Sequence, residues 1–173
     1  FKEEGDVIYV LGNVTNDIAS SQYLSQIQKI NYSPAPHFYL DDEFALQAKT
    51  AELIENKLVR SVQDISEGGL FISLCESAFT NELGFSISTN NAIGKDAFLF
   101  GEGQSRVMVS VNIDLVKDFE KILNGFPAEK IGIVTTSEVK IDGNHWGNID
   151  TWKEKYDTAL ENYLSKEEAG AAL

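Results

Sequence analysis

Three short stretches hold the residues from which chemistry can be built. In Ser61-Val62-Gln63-Asp64-Ile65-Ser66-Glu67-Gly68-Gly69-Leu70 a β-favouring run breaks at Asp64 and Ser66 and passes a Gly-Gly pair. It then continues as Leu70, Leu74 and Ala78 with helical period. A strand, a tight turn and a helix in that order aim backbone N–H groups and a positive helix end at one place. Such a place holds a phosphate, or a carboxylate beside a metal. Asp64 and Ser66 are its turn and cap residues, and Ser66, Gly68 and Gly69 shape the candidate cradle. The same letters suit Asp or Ser as an N-cap with paired glycines for close backbone packing, which needs no ligand.

The second stretch is Glu102-Gly103-Gln104-Ser105-Arg106, set between the triplet Phe98-Leu99-Phe100 and the run Val107 to Val111. Charged and amide side chains between two apolar runs are either a ligand-facing loop or a turn with a solvated rim. Glu102, Gln104 and Arg106 are its ligand candidates. The third is Ser20-Ser21, at the entrance of a helix carrying Tyr23, Leu24 and Ile27. Ser20 and Ser21 can cradle an anion there or simply cap the helix. No side chain is assigned a catalytic role. If the first two stretches form one surface, the Asp64 and Glu102 carboxylates lie within about 12 Å, room for one bridging ion or phosphate. Pairing of residues 59–62 with 107–111 in one sheet would bring their loops to one edge.

The elements that must position these residues follow from periodicity. Asp6 to Gly12 reads as a buried strand, and Asn31 to Pro36 as a loop held extended by Pro34 and Pro36. A helix capped by Asp41 or Asp42 runs to Leu58, with Phe44, Ala48, Ala51, Ile54 and Leu58 as its inner face. Leu83 to Ser88 alternates as a strand with one buried face, and Asn90 to Gly94 turns. An amphipathic helix over Asp114 to Leu123 precedes strands at Ile131 to Val134 and Glu138 to Ile141, the latter closing on an Asp142-Gly143 turn. A last helix, Ile149 to Leu164, docks through Trp152, Tyr156, Ala159, Leu160 and Tyr163, and Lys166 to Leu173 is a frayed tail. This order predicts an α/β (α+β) layered sandwich on a mixed sheet, one domain over 1–173 with 149–173 as terminal helix and tail.

Composition narrows the partners. At 173 residues the chain can bury one good core, and 43% apolar with 24% charged residues is ordinary globular composition. A net charge of −13 argues against duplex nucleic acid and anionic membrane, both of which demand clustered Lys and Arg. The single cysteine, Cys75, lies on an apolar helix face and excludes an internal disulfide. His37 and His145 fall in separate loops, and neither a P-loop nor a dinucleotide fingerprint is present. The opening Phe1-Lys2-Glu3-Glu4-Gly5 carries no targeting stretch, which predicts a cytoplasmic fragment of a longer chain.

Taken together, Ser61 to Leu70, then Leu99-Phe100-Gly101-Glu102-Gly103-Gln104-Ser105-Arg106-Val107, then Ile131-Gly132-Ile133-Val134 resemble the C-terminal domain of the aminoimidazole ribonucleotide synthetase superfamily. Within it they are most similar to the formylglycinamidine ribonucleotide-forming ligases, and specifically to the second of two C-terminal domains in that chain. The resemblance implies a role in de novo purine biosynthesis: ATP activates the amide oxygen of formylglycinamide ribonucleotide and ammonia from glutamine displaces phosphate. It implies ATP and magnesium as cofactors of the full-length enzyme, with none required by this fragment, which would be inactive alone. The partners implied are N-terminal domains of the same polypeptide, a glutaminase subunit or domain and a small accessory subunit. By resemblance Asp64 matches a magnesium-holding acid, and Glu102 and Gln104 match a segment that meets the ribonucleotide. Gln63, Gly103 and Ala19-Ser20-Ser21 depart from the His, Ser and Gly-Gly-Ser of many relatives, as in a pseudo-equivalent site. The other branch in view is a scaffold or interaction domain of a selenophosphate synthetase-type or hydrogenase-maturation-type ATPase.

Overall fold

A computed structural model describes the backbone of residues 1–171 and side chains through residue 165. Its elements are β1 (Val7–Leu11), α1 (Leu40–Glu55), β2 (Ser61–Asp64), α2 (Gly69–Phe79), β3 (Gly84–Ile87), α3 (Lys95–Phe100) and β4 (Val107–Val111). These are followed by α4 (Val116–Ile122), β5 (Ala128–Thr135), β6 (Glu138–Ile141), β7 (Asn144–Asn148), α5 (Ile149–Asp157) and α6 (Ala159–Ala171). The strands form one seven-stranded sheet in the order β2-β4-β1-β5-β3-β6-β7, antiparallel except for the parallel pair β3 and β6. The fold is the expected layered sandwich on a mixed sheet.

Every residue of β1 is buried because helices cover both faces of the sheet there. Ile8 and Val10 point into a core with Leu70, Leu74, Phe85 and Phe98, whereas Val7, Tyr9 and Leu11 meet Leu46 and Leu53 of α1 and Phe119 of α4. A strand covered on both sides reads as a continuous apolar run, which is what Asp6 to Gly12 displays. Opposite Ile8 and Tyr9 the register of β5 slips, so Ile131 is an extra residue. That bulge lets Ile131 and Val134 enter the same core.

Several expectations need correcting. The inner face of α1 is not the Phe44, Ala51, Ile54 stripe: Phe44 is 74% and Ile54 51% exposed, whereas Leu46 and Leu53 are buried. The helix carries two apolar stripes, and the sheet takes the one whose Leu46 and Leu53 stand two turns apart. Lys49 lies beside it because its stem covers apolar surface while Nζ reaches the Ile122 carbonyl and Glu52. The Phe98-Leu99-Phe100 triplet is the end of a short helix, and the Ser20-Ser21 segment leads only into a five-residue π-turn, Tyr23–Ile27. His145 is in strand β7, not a loop; β7 pairs with β6 through the turn at Asp142 and Gly143, both at positive φ. The last helix breaks at Thr158, and of its expected stripe Trp152 docks on Phe71, with ring centroids 5.0 Å apart, and Tyr156 leans on Phe79. Leu160 and Tyr163 are exposed. The tail expected to fray from Lys166 continues as helix to Ala171; residues 172–173 lie outside the described residues.

Candidate functional site

The two central stretches do meet. β2 pairs antiparallel with β4, Asp64 opposite Val107, and the Ile65 N–H donates to the Arg106 carbonyl at 3.1 Å. Both loops therefore leave the sheet at one edge. From there the chain turns sharply into α2 through Gly68 and Gly69, at φ of +80° and +68°. A Cβ on Gly69 would stand 2.8 Å from the Gly101 carbonyl oxygen and from the Phe100 backbone. The pair of glycines thus permits the closest approach between the two loops as well as the left-handed turn.

No side chain caps α2 from its own sequence neighbours. Instead Glu102 supplies the anion: its Oε1 accepts from the Gly68 N–H at 2.8 Å and from the Gln22 N–H at 2.8 Å. One carboxylate oxygen thereby occupies the place where a phosphate was expected, tying the α2 entrance to the start of the Tyr23–Ile27 turn. Charge-assisted bonds to backbone amides at a helix start are among the stronger hydrogen bonds available to a carboxylate. The Tyr23 ring stacks on Phe100, centroids 5.0 Å and planes 3° apart, and its hydroxyl donates to Asp96, which fixes the turn against α3.

The other candidates are placed as follows. Arg106 is 5% exposed and faces inward, with Nε donating to the Gly103 carbonyl at 3.0 Å and Nη2 to the Gly101 carbonyl at 2.6 Å. Burial pushes its guanidinium down to about 10, partly opposed by the nearby Glu102 charge. It braces the loop. Ser21, 1% exposed, donates through Oγ to the Ile18 carbonyl and accepts from the Leu24 N–H, so it caps the turn. Ser20, at φ +56°, bonds the 33–34 loop: its N–H donates to Ser33 Oγ at 2.6 Å and its hydroxyl to the Pro34 carbonyl at 3.0 Å. Ser66 Oγ donates to Asp64 Oδ2 at 2.7 Å, so Asp64 orders its own turn and does not cap α2.

Ser20, Ser21, Gly68, Gly69 and Arg106 all make contacts within the chain, and at the expected anion cradle the Gly68 N–H is met by Glu102. Asp64 and Glu102 belong to adjoining segments but do not open onto one hollow. Asp64 lines a hollow of about 390 Å³ with Glu43, Gln104 and Arg106, whereas Glu102 is turned to Gly68. Gln104, exposed, lines that hollow and also walls a second cavity of about 420 Å³. Asp17, His37, Tyr39 and Asp42 line that second cavity and were not singled out as site residues, since two separate loops and the first turn of α1 contribute them. Among the described residues no group of three or more His, Cys, Asp or Glu gathers to hold a metal, and no helix is long and apolar enough to cross a membrane.

Residues 3–143 match the model of the AIR synthase related protein C-terminal domain, and the chain belongs to that family. Within it, the chain is 36% identical over 152 residues to phosphoribosylformylglycinamidine synthase subunit PurL of Caldanaerobacter subterraneus, spanning 87% of this chain and 21% of that protein. PurL of Salinibacter ruber is 40% identical over 125 residues, 70% of this chain and 17% of the relative. The chain thus spans about a fifth of the length of the curated relatives it matches. T. maritima PurL, solved in complex with FGAR, shares the fold at a TM-score of 0.72 and 16% identity, over 86% of this chain and 28% of the other. The hydrogenase maturation protein HypE shares it at 0.59 and 18% identity, over 83% and 52%.

Proposed function

We propose that this chain is a C-terminal-type domain of a longer, cytoplasmic polypeptide. That polypeptide is an ATP-dependent amidoligase converting formylglycinamide ribonucleotide to the amidine with glutamine-derived ammonia, in purine biosynthesis. The observation that carries the reading is the PurL-like sequence over 87% of the chain, with both Gly-rich loops inside the matched span. The partners in this reading are N-terminal domains of the same polypeptide, a glutaminase subunit or domain and a small accessory subunit.

The chain's own contribution is limited by what its loops can offer. ATP, when bound, supplies the phosphoryl group that makes the amide oxygen a leaving group. Its phosphates do not fit the Gly68 turn, where the Gly68 N–H already donates to Glu102 and the Gly69 N–H to the Ser66 carbonyl. Magnesium bound with a nucleotide is held by one or two carboxylates together with phosphates. Asp64, with Glu43 on the same hollow, matches that sparse donor set, the phosphates coming from a nucleotide held elsewhere in the polypeptide. Gln104 is the residue assigned to meet the ribonucleotide. The fragment alone lacks the remaining groups and turns over nothing, because positioning requires both halves of a domain pair.

The test is expression of the gene's complete reading frame together with its glutaminase, followed by assay of ribonucleotide-dependent ADP formation. Amidine synthesis by the whole protein and none by the 173-residue chain is expected. Turnover by the chain alone, or a reading frame whose upstream half is of another superfamily branch, overturns the reading. The alternative, a scaffold in a hydrogenase-maturation-type ATPase, draws on a common fold alone.

A further inference from the structure

Helix α1 is apolar on the side it turns away from the sheet. Leu46 and Leu53 bury one face, and on the opposite side Leu40, Phe44, Ala48, Ala51 and Ile54 form a second stripe that stays exposed, Leu40 at 70%. A helix with apolar residues on opposite faces is ordinarily covered on both. Left in water over about four turns, such side chains make a contiguous patch of the kind that marks an interaction site. Its relief is uneven. Leu40 and Phe44 stand at one end and Ile54 at the other, with Ala48 and Ala51 low between them, so a second helix crossing the middle can come close.

The charges beside the stripe have one sign. Asp41, Glu43, Glu52 and Glu55 flank it, and the one cation of α1, Lys49, is engaged by Glu52 and the Ile122 carbonyl. Asp41, Glu43 and Glu55 form no ion pair among the described residues. In the first turn Asp41 and Glu43 complement the positive helix end. Glu52 and Glu55 have no such reason for their place. They lie in the last turn, where the negative helix end disfavours acids, and no basic residue shares that turn. A local electrostatic conflict beside an uncovered apolar stripe is resolved by a cation from outside the chain.

The possible occupants differ in how they meet those charges. A second copy of this chain would lay acids against acids whichever way its α1 ran, and the net charge of −13 adds to the repulsion. An anionic membrane is repelled in the same way. An uncharged apolar segment would cover the stripe but take Glu52 and Glu55 out of water with nothing to pair them. A helix whose own apolar stripe is bordered by cations answers every feature: it covers Phe44 and Ile54, enters the saddle at Ala48 and Ala51, and brings positive charge to the acids on either side. We propose that the outer face of α1, from Leu40 to Ile54, docks an amphipathic helix of a partner protein whose apolar stripe is bordered by lysine or arginine. The inference concerns this face alone and does not rest on the amidoligase reading.

The probes are three helical peptides of equal length: a leucine stripe bordered by lysine, the same stripe bordered by glutamate, and a scramble of the first that keeps its charge and loses its stripe. Each is titrated by calorimetry into the 173-residue chain, with amide chemical shifts followed by NMR. The lysine-bordered stripe is expected to bind at least about tenfold more tightly than either control and to shift the amides of residues 40–55. F44S and E55Q, both at exposed positions, should keep the native thermal transition and each weaken that peptide severalfold. Sedimentation should show the free chain as a monomer. Equal binding of the scramble or of the glutamate-bordered peptide, or unchanged affinity in both variants, would overturn the proposal. A dimer of the free chain that F44S dissociates would make a second copy the occupant and overturn it too. So would a product of the complete reading frame that no longer binds the lysine-bordered peptide, because the face would then be covered within one polypeptide.

Discussion

Glu102 Oε1 lies 2.8 Å from the backbone nitrogen of Gly68, although the two residues are 34 apart in sequence. With its second bond, to Gln22, this carboxylate holds together the α2 entrance, the Tyr23 turn and the loop after α3. The geometry is that of a bound anion, and the anion is the protein's own.

Close approach at the same junction makes Gly69 intolerant of any side chain. Gly69→Ala forces a Cβ against the Phe100 and Gly101 backbone at a left-handed φ. Chemical denaturation should show a loss of about 2–4 kcal/mol. Gly125→Ala, also at positive φ but with nothing within 4 Å of its Cβ, should cost about 1 kcal/mol, isolating the strain from the clash.

The corrected face of α1 gives a paired test. Leu53, fully buried between α1 and the sheet, should cost about 2–5 kcal/mol on replacement by Ala, through lost burial and a cavity. Phe44→Ala, at an exposed position, should stay within about 0.5 kcal/mol. Equal losses would restore the face first expected from periodicity.

Cys75 supplies the pH dependence. Burial, helped by the neighbouring Glu76 charge, pushes its thiol from 9.0 up to about 12. The folded chain therefore keeps this proton between pH 9 and about 12 while the unfolded chain releases it. Stability from this group is complete below pH 9 and declines as pH rises toward 12. In Cys75→Ala that part of the decline should vanish, and in the native chain a thiol reagent at neutral pH should react only on unfolding.

The sheet core and the meeting of the two loops were legible because they depend on pattern. Val7 to Leu11, Val107 to Val111 and the Leu70, Leu74, Ala78 spacing each have one period and one bounded length. What pattern cannot convey is the direction of a single side chain. A glutamate that caps a helix from a distant loop has the same letter as one that meets a ligand, so the internal bonds of Glu102 and Arg106 could not be read from their place in the sequence. Asn144 to Asn148 hid its strand because His, Trp, Gly and Asn gain their β-structure from pairing with β6. Asp17, His37 and Asp42 were invisible as a group because only tertiary packing gathers two loops and the start of α1 around one cavity.

The clamp is tested most directly by Glu102→Ala with an added small anion. Loss of two charge-assisted bonds should lower the thermal midpoint by about 4–12 °C. Formate, a carboxylate that fits the vacated N–H groups, should recover part of that loss in the variant and none in the unmodified chain, whose site is already filled. An unchanged midpoint in Glu102→Ala, or equal stabilisation of both proteins by formate, would contradict an internal anion at the Gly68 turn.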